Sequence, residues 1–533
     1  FQRKNVTLRK NVSNMKYPIG IQTFDKVIEG GYSYVDKTAL VYKMAHYAQN
    51  LFLSRPRRFG KSLLVSTLQA YFEGRKDLFK GLAIEKMEQE WEVYPVIHID
   101  MSRGKYYQLK NLHAILNGIL SNYEDLYHVG TLSENSDVYS ERLANIIAAA
   151  CQQTGKQVVV LIDEYDAPMH DSMNDEKLQN QIRNVLRDFF SPLKQQDANL
   201  RFVFITGISK FSQLSIFSEL NNLKILTMKN EYATVCGFTE EEILKKYTED
   251  IEAFAEENEM TYDEAVAALR YHYDGYHFSE KSPGIYNPFS IINALDDKKL
   301  NRYWFSSGTP TFLVELLQKK GLDMLQLDDL WASEKRFDVP TEKISDPIPV
   351  LYQSGYLTIK EYDKGRKLYL LGFPNEEVRQ GFSTSLFQYY SPDGMGKYDA
   401  LCGAYYDCVV CDGDMDAFLS HLKTFYDKFP YTLVNNNERH YQAVMYTIFA
   451  MLGADITPEQ PTSDGRIDMV LKTDDCLYIF ELKYGKDAET AIAQIENKKY
   501  AAAFADDKRE KVLVGINFSE DSRTIDDWSV IGM

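Results

Sequence analysis

Apolar runs that stop at polar or acidic residues constrain this chain most. NLFLS (50–54) leads straight into RPRRFGKS, and QVVVLIDE (157–164) carries an apolar stretch that ends at Asp163 and Glu164. RFVFITG (201–207) ends in Thr206, with Ser209 and Lys210 just beyond, and YPVIHIDM (94–101) has the same form. Runs without alternation read as strands buried on both faces of a parallel sheet. Helical periodicity near 107–127 and 176–194 separates them, so strands and helices alternate as in a doubly wound parallel α/β sheet. In such sheets ligands bind beyond the carboxyl ends of the strands, which is where these runs place their polar residues.

Gly60-Lys61-Ser62 opens an apolar-periodic helix directly after the first strand, matching the second half of the loop G-x-x-x-x-G-K-[ST]. Backbone N–H groups over Arg58, Phe59 and Gly60 would cradle phosphates, Lys61 would reach the outer phosphate oxygens, and Ser62 would ligate Mg²⁺. Asp163 is placed to complete the Mg²⁺ shell, Glu164 to polarise an attacking water, and Thr206 to sense a γ-phosphate. ATP is therefore the expected cofactor. Arg55 stands where the loop's first glycine belongs. Arg183 and Arg187, four apart on one helical face, are candidates for a catalytic arginine, although surface ion pairs would explain them equally well.

RPRRFGKSLL, LIDEYDAP, FVFITGISKFSQLSIFSELNNL and YATVCGFTEEEI, with YHYDGYHF and IYNPFSI beyond, resemble the prokaryotic family of predicted AAA-type ATPases commonly fused to a PD-(D/E)XK nuclease domain. The likeness covers roughly residues 17–300. It implies an AAA-like P-loop ATPase core over 17–235 and a helical lid over 236–335. Arg-Pro-Arg-Arg before Phe-Gly-Lys is a trait of that family.

The middle of the chain reads as helices (EEEILKKY, YDEAVAALRYHY, FSIINAL, TPTFLVELLQ) joined by aromatic loops, in which Asp274 and Tyr276 are either functional or lid packing. LYQSGYLTIKEYDKGRKLYLLGFP alternates like a hairpin around DKGRK, followed by an Asn-capped helix, which suggests a winged-helix-like unit over 336–395. A helical connector over 396–430, with CDGDMD as a turn, leads to the last domain at 431–533.

There GRIDMVLKTDDCLYIFELKYGK places three charged residues on predicted strands. Glu481 and Lys483 project to one face while Phe480 and Leu482 face the other, and Asp468 lies on the preceding strand across the KTDDC turn. Two converging carboxylates repel unless a cation lies between them, and hard oxygen ligands suit Mg²⁺ or Mn²⁺. Lys483 beside that ion could position water or stabilise charge on a phosphodiester. An exposed salt-bridged hairpin would also alternate in this way. The context is a helix starting near Glu438, a second carrying Gln494 and Lys498 on one face, and a buried strand KVLVGINFS, giving the order α-β-β-β-α-β. D-x(12)-E-x-K in that order resembles the C-terminal nuclease domain of the same family, a restriction-endonuclease-like α/β fold. The resemblance implies further roles for Glu438 and Gln494. Related nucleases often have Gln-x-x-x-Tyr, whereas Tyr500 here lies six residues after Gln494.

A net charge of −17 excludes a generally basic, nucleic-acid-coating protein, so any contact with DNA must be local, as at RPRR (55–58) and Lys498-Lys499. RKNVTLRK (3–10) reads as solvated surface. Six cysteines in 533 residues form no disulfide framework and favour a reducing cytoplasm, and Cys408-x-x-Cys411 lacks the partners of a metal site. No membrane span or secretory h-region is evident, and a leader before Phe1 is left open. The expected partners are ATP and nucleic acid, DNA ahead of RNA, with a homo-oligomer allowed. The alternative is a nucleotide-gated switch or scaffold whose nuclease-like domain binds without cutting.

Overall fold

The computed structural model describes residues 15–130, 138–210, 217, 223–305, 323–339, 346–390, 395–427 and 437–533. RKNVTLRK and the expected helix TPTFLVELLQ (309–318) lie outside the described residues. The chain divides into two compact units, Phe1–Trp304 with Trp331–Asn375, and Phe305–Leu330 with Glu376–Met533.

The first unit is built on five strands, β1 (Asn50–Ser54), β2 (Val96–Asp100), β3 (Val158–Asp163), β4 (Leu200–Gly207) and β5 (Lys224–Ile225). They pair in the order β2-β3-β4-β1-β5, all parallel. Every residue of β1 and β3 is buried, which is why neither alternates in sequence. The crossovers are helices α1 (Lys61–Phe72), α2 (Leu109–Leu126), α3 (Tyr139–Thr154) and α4 (Glu176–Phe190). Their apolar stripes, Leu112 and Leu116 of α2, Ile146 and Ile147 of α3, Ile182 and Leu186 of α4, bury against Ile97, Val160, Ile162 and Ile205 of the sheet. Each such side chain contributes roughly 1.5–3 kcal/mol through burial. The strand order matters for the site. It sets β4 between β1 and β3, with Leu53 in register with Thr206 and Ile162 with Ile205, so the ends of all three strands adjoin.

YSYV (32–35), which reads as strand-like, makes only one bridge, Tyr32 to Lys16, and no longer ladder. The helices between residues 240 and 297 begin where the sequence supplies caps. Thr239 with Glu242, and Thr261 with Glu264, close complete capping boxes at Glu240–Lys246 and Tyr262–Tyr273. Asn287 caps Pro288–Asp297 by accepting from Phe289 and Ser290. The hairpin around DKGRK forms as β6 (Thr358–Asp363) and β7 (Leu368–Gly372), preceded by the helix Ile348–Ser354.

The second unit carries helix α5 (Glu438–Met451), strands β8 (Asp455–Thr462), β9 (Gly465–Lys472) and β10 (Cys476–Tyr484), helix α6 (Ala488–Asn497), then β11 (Glu510–Phe518) and β12 (Ile525–Gly532). The five strands pair in chain order, antiparallel except β10 with β11, which α6 joins as a crossover. The register brings Gly515 opposite Glu481. A Cβ at Gly515 would lie 2.6 Å from the Ala488 carbonyl, so α6 can approach β11 this closely only over glycine. All six cysteines are free.

Candidate functional site

Beyond β1 the chain turns through Gly60, at φ +89, into α1. Lys61 is only 4% exposed and donates to the Pro56 carbonyl (3.1 Å), with Glu164 Oε1 3.5 Å away. Glu164 itself takes a left-handed conformation, φ +50, which is costly for a residue with a Cβ and turns the chain sharply at the end of β3. Asp163 is nine-tenths or more buried, and its Oδ1 has no hydrogen-bond partner. Burial and the Glu164 charge push its carboxyl up to about 6, against the Ser62 hydroxyl bond and the Lys61 charge, which pull it back. The orphaned oxygen, the adjacent Ser62 hydroxyl and the nearby ammonium fit a magnesium-bound polyphosphate. A cavity of about 410 Å³ opens over this loop, and Arg58 through Ser62 and Glu164 line it.

The remaining residues picked out in sequence divide. Arg58 lies 3.7 Å over the Phe289 ring and donates to the Tyr303 carbonyl, so it ties the loop to the lid helices. Phe59 packs edge-on against Tyr276 and Phe278, which gives Tyr276 a packing role. Thr206 is fully buried, and its hydroxyl donates to the Leu53 carbonyl of the neighbouring strand. Lys210 pairs with Asp338, and Ser209 donates to Asp166, so neither is among the residues lining the cavity. Arg183 and Arg187 each bond an asparagine one turn earlier on α4 and do not line it either. Arg55 is no part of a phosphate cradle. Its guanidinium is 1% exposed and donates to the carbonyls of Ser54, Thr227 and Tyr232 beneath the loop, and burial pushes its pKa down to about 10.

Two features of this site carry no separate sequence signal. The cavity wall includes Ile19 through Gln22 and Phe289, Ile292 and Asn293, segments brought together only by the fold. Asp166, three residues after Asp163, is fully buried and accepts from Ser209 N (2.7 Å), Ser209 Oγ (2.7 Å) and Ile208 N (3.1 Å), with His170 Nε2 at 3.0 Å. Those partners, His170 first, hold its carboxyl down at about 2 against the cost of burial. It fastens the exit of β4 to the exit of β3.

In the second unit the β9–β10 ladder runs from Lys472 with Leu477 to Met469 with Phe480 and then stops. The next pair in that register is Asp468 with Glu481. Strand β9 departs there, and the Asp468 carboxylate replaces its backbone, Oδ2 accepting from Leu482 N at 2.7 Å. Glu481 and Lys483, two apart on β10, share a face as alternation requires, and Lys483 Nζ donates to Glu481 Oε1 (2.7 Å) and to the Leu482 carbonyl (2.8 Å). Both side chains are at most 6% exposed. Burial, then the Glu481 charge, push Asp468 up to about 7, with Glu438 adding a smaller push in the same direction. Glu481 is likewise raised by burial, while Lys483 and the Gln494 amide favour its charged form. Its Oε2 is buried with no well-formed hydrogen bond. Asp468, Glu481 and Lys483 meet through these bonds, with Glu438 near enough for its charge to raise both carboxyls and Gln494 near enough to bond Glu481.

Among the described residues no group of three or more His, Cys, Asp or Glu side chains gathers as a ready metal cage. The Asp468 and Glu481 carboxylates are oxygen donors of the kind a hard divalent cation takes. Tyr500 takes a core position, 2% exposed, with its hydroxyl on the Arg466 carbonyl (2.9 Å). Sequence reading did not pick out Gln442 or Glu459. Gln442 Nε2 donates to Glu459 Oε1 (2.8 Å) and to the Asp468 carbonyl (2.9 Å). Its one sequence signal is its spacing, four residues after Glu438 on α5.

The parallel sheet with its phosphate loop and double acid is that of a P-loop nucleotide-binding protein, and the broken ladder with its Asp/Glu/Lys set is that of a PD-(D/E)XK fold. Residues 18–217 match the family described as Predicted AAA-ATPase, and residues 436–528 match the PD-(D/E)XK nuclease superfamily. The chain is also 33% identical over 531 residues to a protein of Azotobacter chroococcum mcd 1 described as "Uncharacterized protein in vnfD 5'region", spanning 96% of this chain and 98% of that one. The chain belongs to this family of AAA-ATPase-like proteins with a C-terminal PD-(D/E)XK nuclease domain. Among the described residues no helix is long and apolar enough to cross a membrane.

Proposed function

We propose that the protein binds and hydrolyses ATP in its first unit and cleaves phosphodiester bonds of nucleic acid, DNA in preference to RNA, in its second. The observation that carries the reading is the convergence of half-buried Asp468 with buried Glu481 and Lys483 where the β9–β10 ladder ends. Asp468 and Glu481 would hold Mg²⁺ or Mn²⁺, which when bound supplies Lewis-acid activation of water and of the phosphate. Lys483, already oriented by Glu481 and Leu482, places a positive charge where a pentavalent phosphate gathers negative charge. Glu438 adds a third carboxylate at the rim, and Gln494 steadies Glu481. In the first unit Lys61 and the loop backbone would hold the phosphates, Ser62 and Asp163 the Mg²⁺, and Glu164 an attacking water, while Thr206, buried with its hydroxyl on the Leu53 carbonyl, stands outside the cavity lining and senses no γ-phosphate.

The test is incubation of the full chain with labelled DNA and RNA, with and without ATP, in Mg²⁺ or Mn²⁺. Cleavage should require the metal and vanish in Asp468→Ala and Lys483→Ala. Undiminished cleavage by either variant would rule this site out.

A further inference from the structure

Strand β9 is held around Asp468 by more than its own ladder. The pairing of β8 with β9 runs Pro458 with Met469 and Gln460 with Ile467, which leaves Glu459 opposite Asp468 as the one interrupted position. Glu459 sits there at φ +53, a left-handed conformation that is strained for a residue with a Cβ. Such strain persists only where surrounding contacts impose it, and here the contacts are specific. One Glu459 oxygen accepts from Gln442 Nε2 (2.8 Å), and the other lies 2.6 Å from Arg466 Nε. The same Gln442 amide donates to the Asp468 carbonyl (2.9 Å), and Gln442 is only 5% exposed. Arg466 stands two residues before Asp468, with its carbonyl bonded by Tyr500. The Asp468 carboxylate then meets Leu482 N.

We propose that Glu459 is a positioning residue for the metal site: through Gln442 and Arg466 it fixes the backbone of Asp468, so that the carboxylate faces Glu481 before any cation arrives. The proposal rests on the reading of Asp468 and Glu481 as cation ligands. Both Glu459 oxygens are engaged, one by Gln442 and one by Arg466, so it acts on Asp468 through those two contacts. Partners one shell behind a metal ligand commonly change metal affinity by about 10- to 100-fold when removed.

The experiment uses the full chain and two readouts, Mn²⁺ titration by calorimetry and hydrogen exchange of the Leu482 amide without metal. Glu459→Ala should weaken Mn²⁺ binding by about tenfold or more and speed exchange at Leu482, with the rest of β10 and β11 protected as before. Gln442→Glu, which keeps the shape but removes the donor, should do the same. The double variant should lose little beyond either single change, because both cut one chain of contacts. Glu459→Gln keeps an acceptor for Gln442 and should recover most of the affinity lost in Glu459→Ala. Unchanged Leu482 exchange in Glu459→Ala overturns the proposal, as does exchange that rises uniformly over the sheet, which would mark general destabilisation. Glu459→Gln as weak as Glu459→Ala would show that the Gln442 contact it keeps positions nothing, and would overturn it too. If the unaltered chain binds no Mn²⁺, the assignment of the metal site falls, while the Leu482 readout still decides whether Glu459 seats Asp468.

Discussion

Asp468→Asn should make the metal-free protein more stable at alkaline pH. In the unfolded chain this carboxyl titrates near 3.8, and in the fold it is pushed up to about 7, first by burial and then by Glu481. Between those values the folded state holds a proton that the unfolded chain releases. Stability therefore falls as pH rises from about 4, and the loss is complete above about 7. At about 1.4 kcal/mol per pH unit the full loss is about 4 kcal/mol, and solvent at the partly exposed carboxyl screens it to on the order of 2–4 kcal/mol. Asparagine keeps an oxygen for Leu482 N and removes the charge. The variant should gain most of that amount at pH 8 and about 1 kcal/mol or less at pH 4.5. Urea unfolding in EDTA, followed by hydrogen exchange in β10 and β11 peptides, measures both. Adding Mn²⁺ should then stabilise the unaltered protein and leave the variant unmoved. An equal gain at both pH values, or a loss at pH 8, would refute the claim that a half-buried, repelled carboxylate governs this site.

Lys61→Ala removes the ammonium that lies against Pro56 O and Glu164, and should weaken binding of a fluorescent ATP analogue by about tenfold or more, without a change in thermal midpoint above a few degrees. Asp166→Asn should destabilise the first unit by about 2–4 kcal/mol in urea unfolding, because the amide removes the charge that Ser209 and His170 bond and turns its NH2 toward Ile208 N. The Asp166 contribution, with its folded pKa held at about 2, should be complete above about pH 4 and disappear as pH falls through 2, and the variant should lack this acid dependence. Gly515→Ala drives a Cβ toward Ala488 O and should cost about 1–3 kcal/mol while displacing α6 and Gln494, read as weaker Mn²⁺ binding in calorimetry.

The parts of both sites that were legible in sequence are those fixed by one strand or one turn. β3 announces itself because a strand buried on both faces cannot alternate, and Asp163 and Glu164 mark its exit. Glu481 and Lys483 could be placed on a common face because strand geometry alone decides that. Arg55 was harder. In sequence it is an intruder at a glycine position, yet its guanidinium is satisfied by carbonyls 172 and 177 residues away, which no local pattern reports. The Thr206 hydroxyl bonds Leu53, 153 residues earlier, and becomes readable only once β1 is known to lie beside β4. Gln442 and Glu459 escaped notice for the same reason. Amides and carboxylates on amphipathic elements are ordinarily solvated, and only the meeting of α5 with β8 gives these two a common target.

The two sites, on unrelated sheets, share one electrostatic construction. Each has a carboxylate whose proton affinity is raised by burial beside a second acid, Asp163 by Glu164 and Asp468 by Glu481. Each has a buried carboxylate oxygen without a well-formed bond, Asp163 Oδ1 and Glu481 Oε2, and each has a nearly buried lysine to one side. Apolar residues of similar volume in such places are often neutral or stabilising, so the arrangement is a net cost to a fold that binds nothing there. A cation reverses the sign. It satisfies the orphaned oxygen, cancels the repulsion and turns the raised proton affinity into metal affinity that rises with pH as the carboxyls ionise. In the first unit this construction serves a nucleotide-gated switch as well as a hydrolase. In the second a domain that only docks nucleic acid or a partner has no use for it, which favours the metal-dependent cleavage proposed there over binding without cutting.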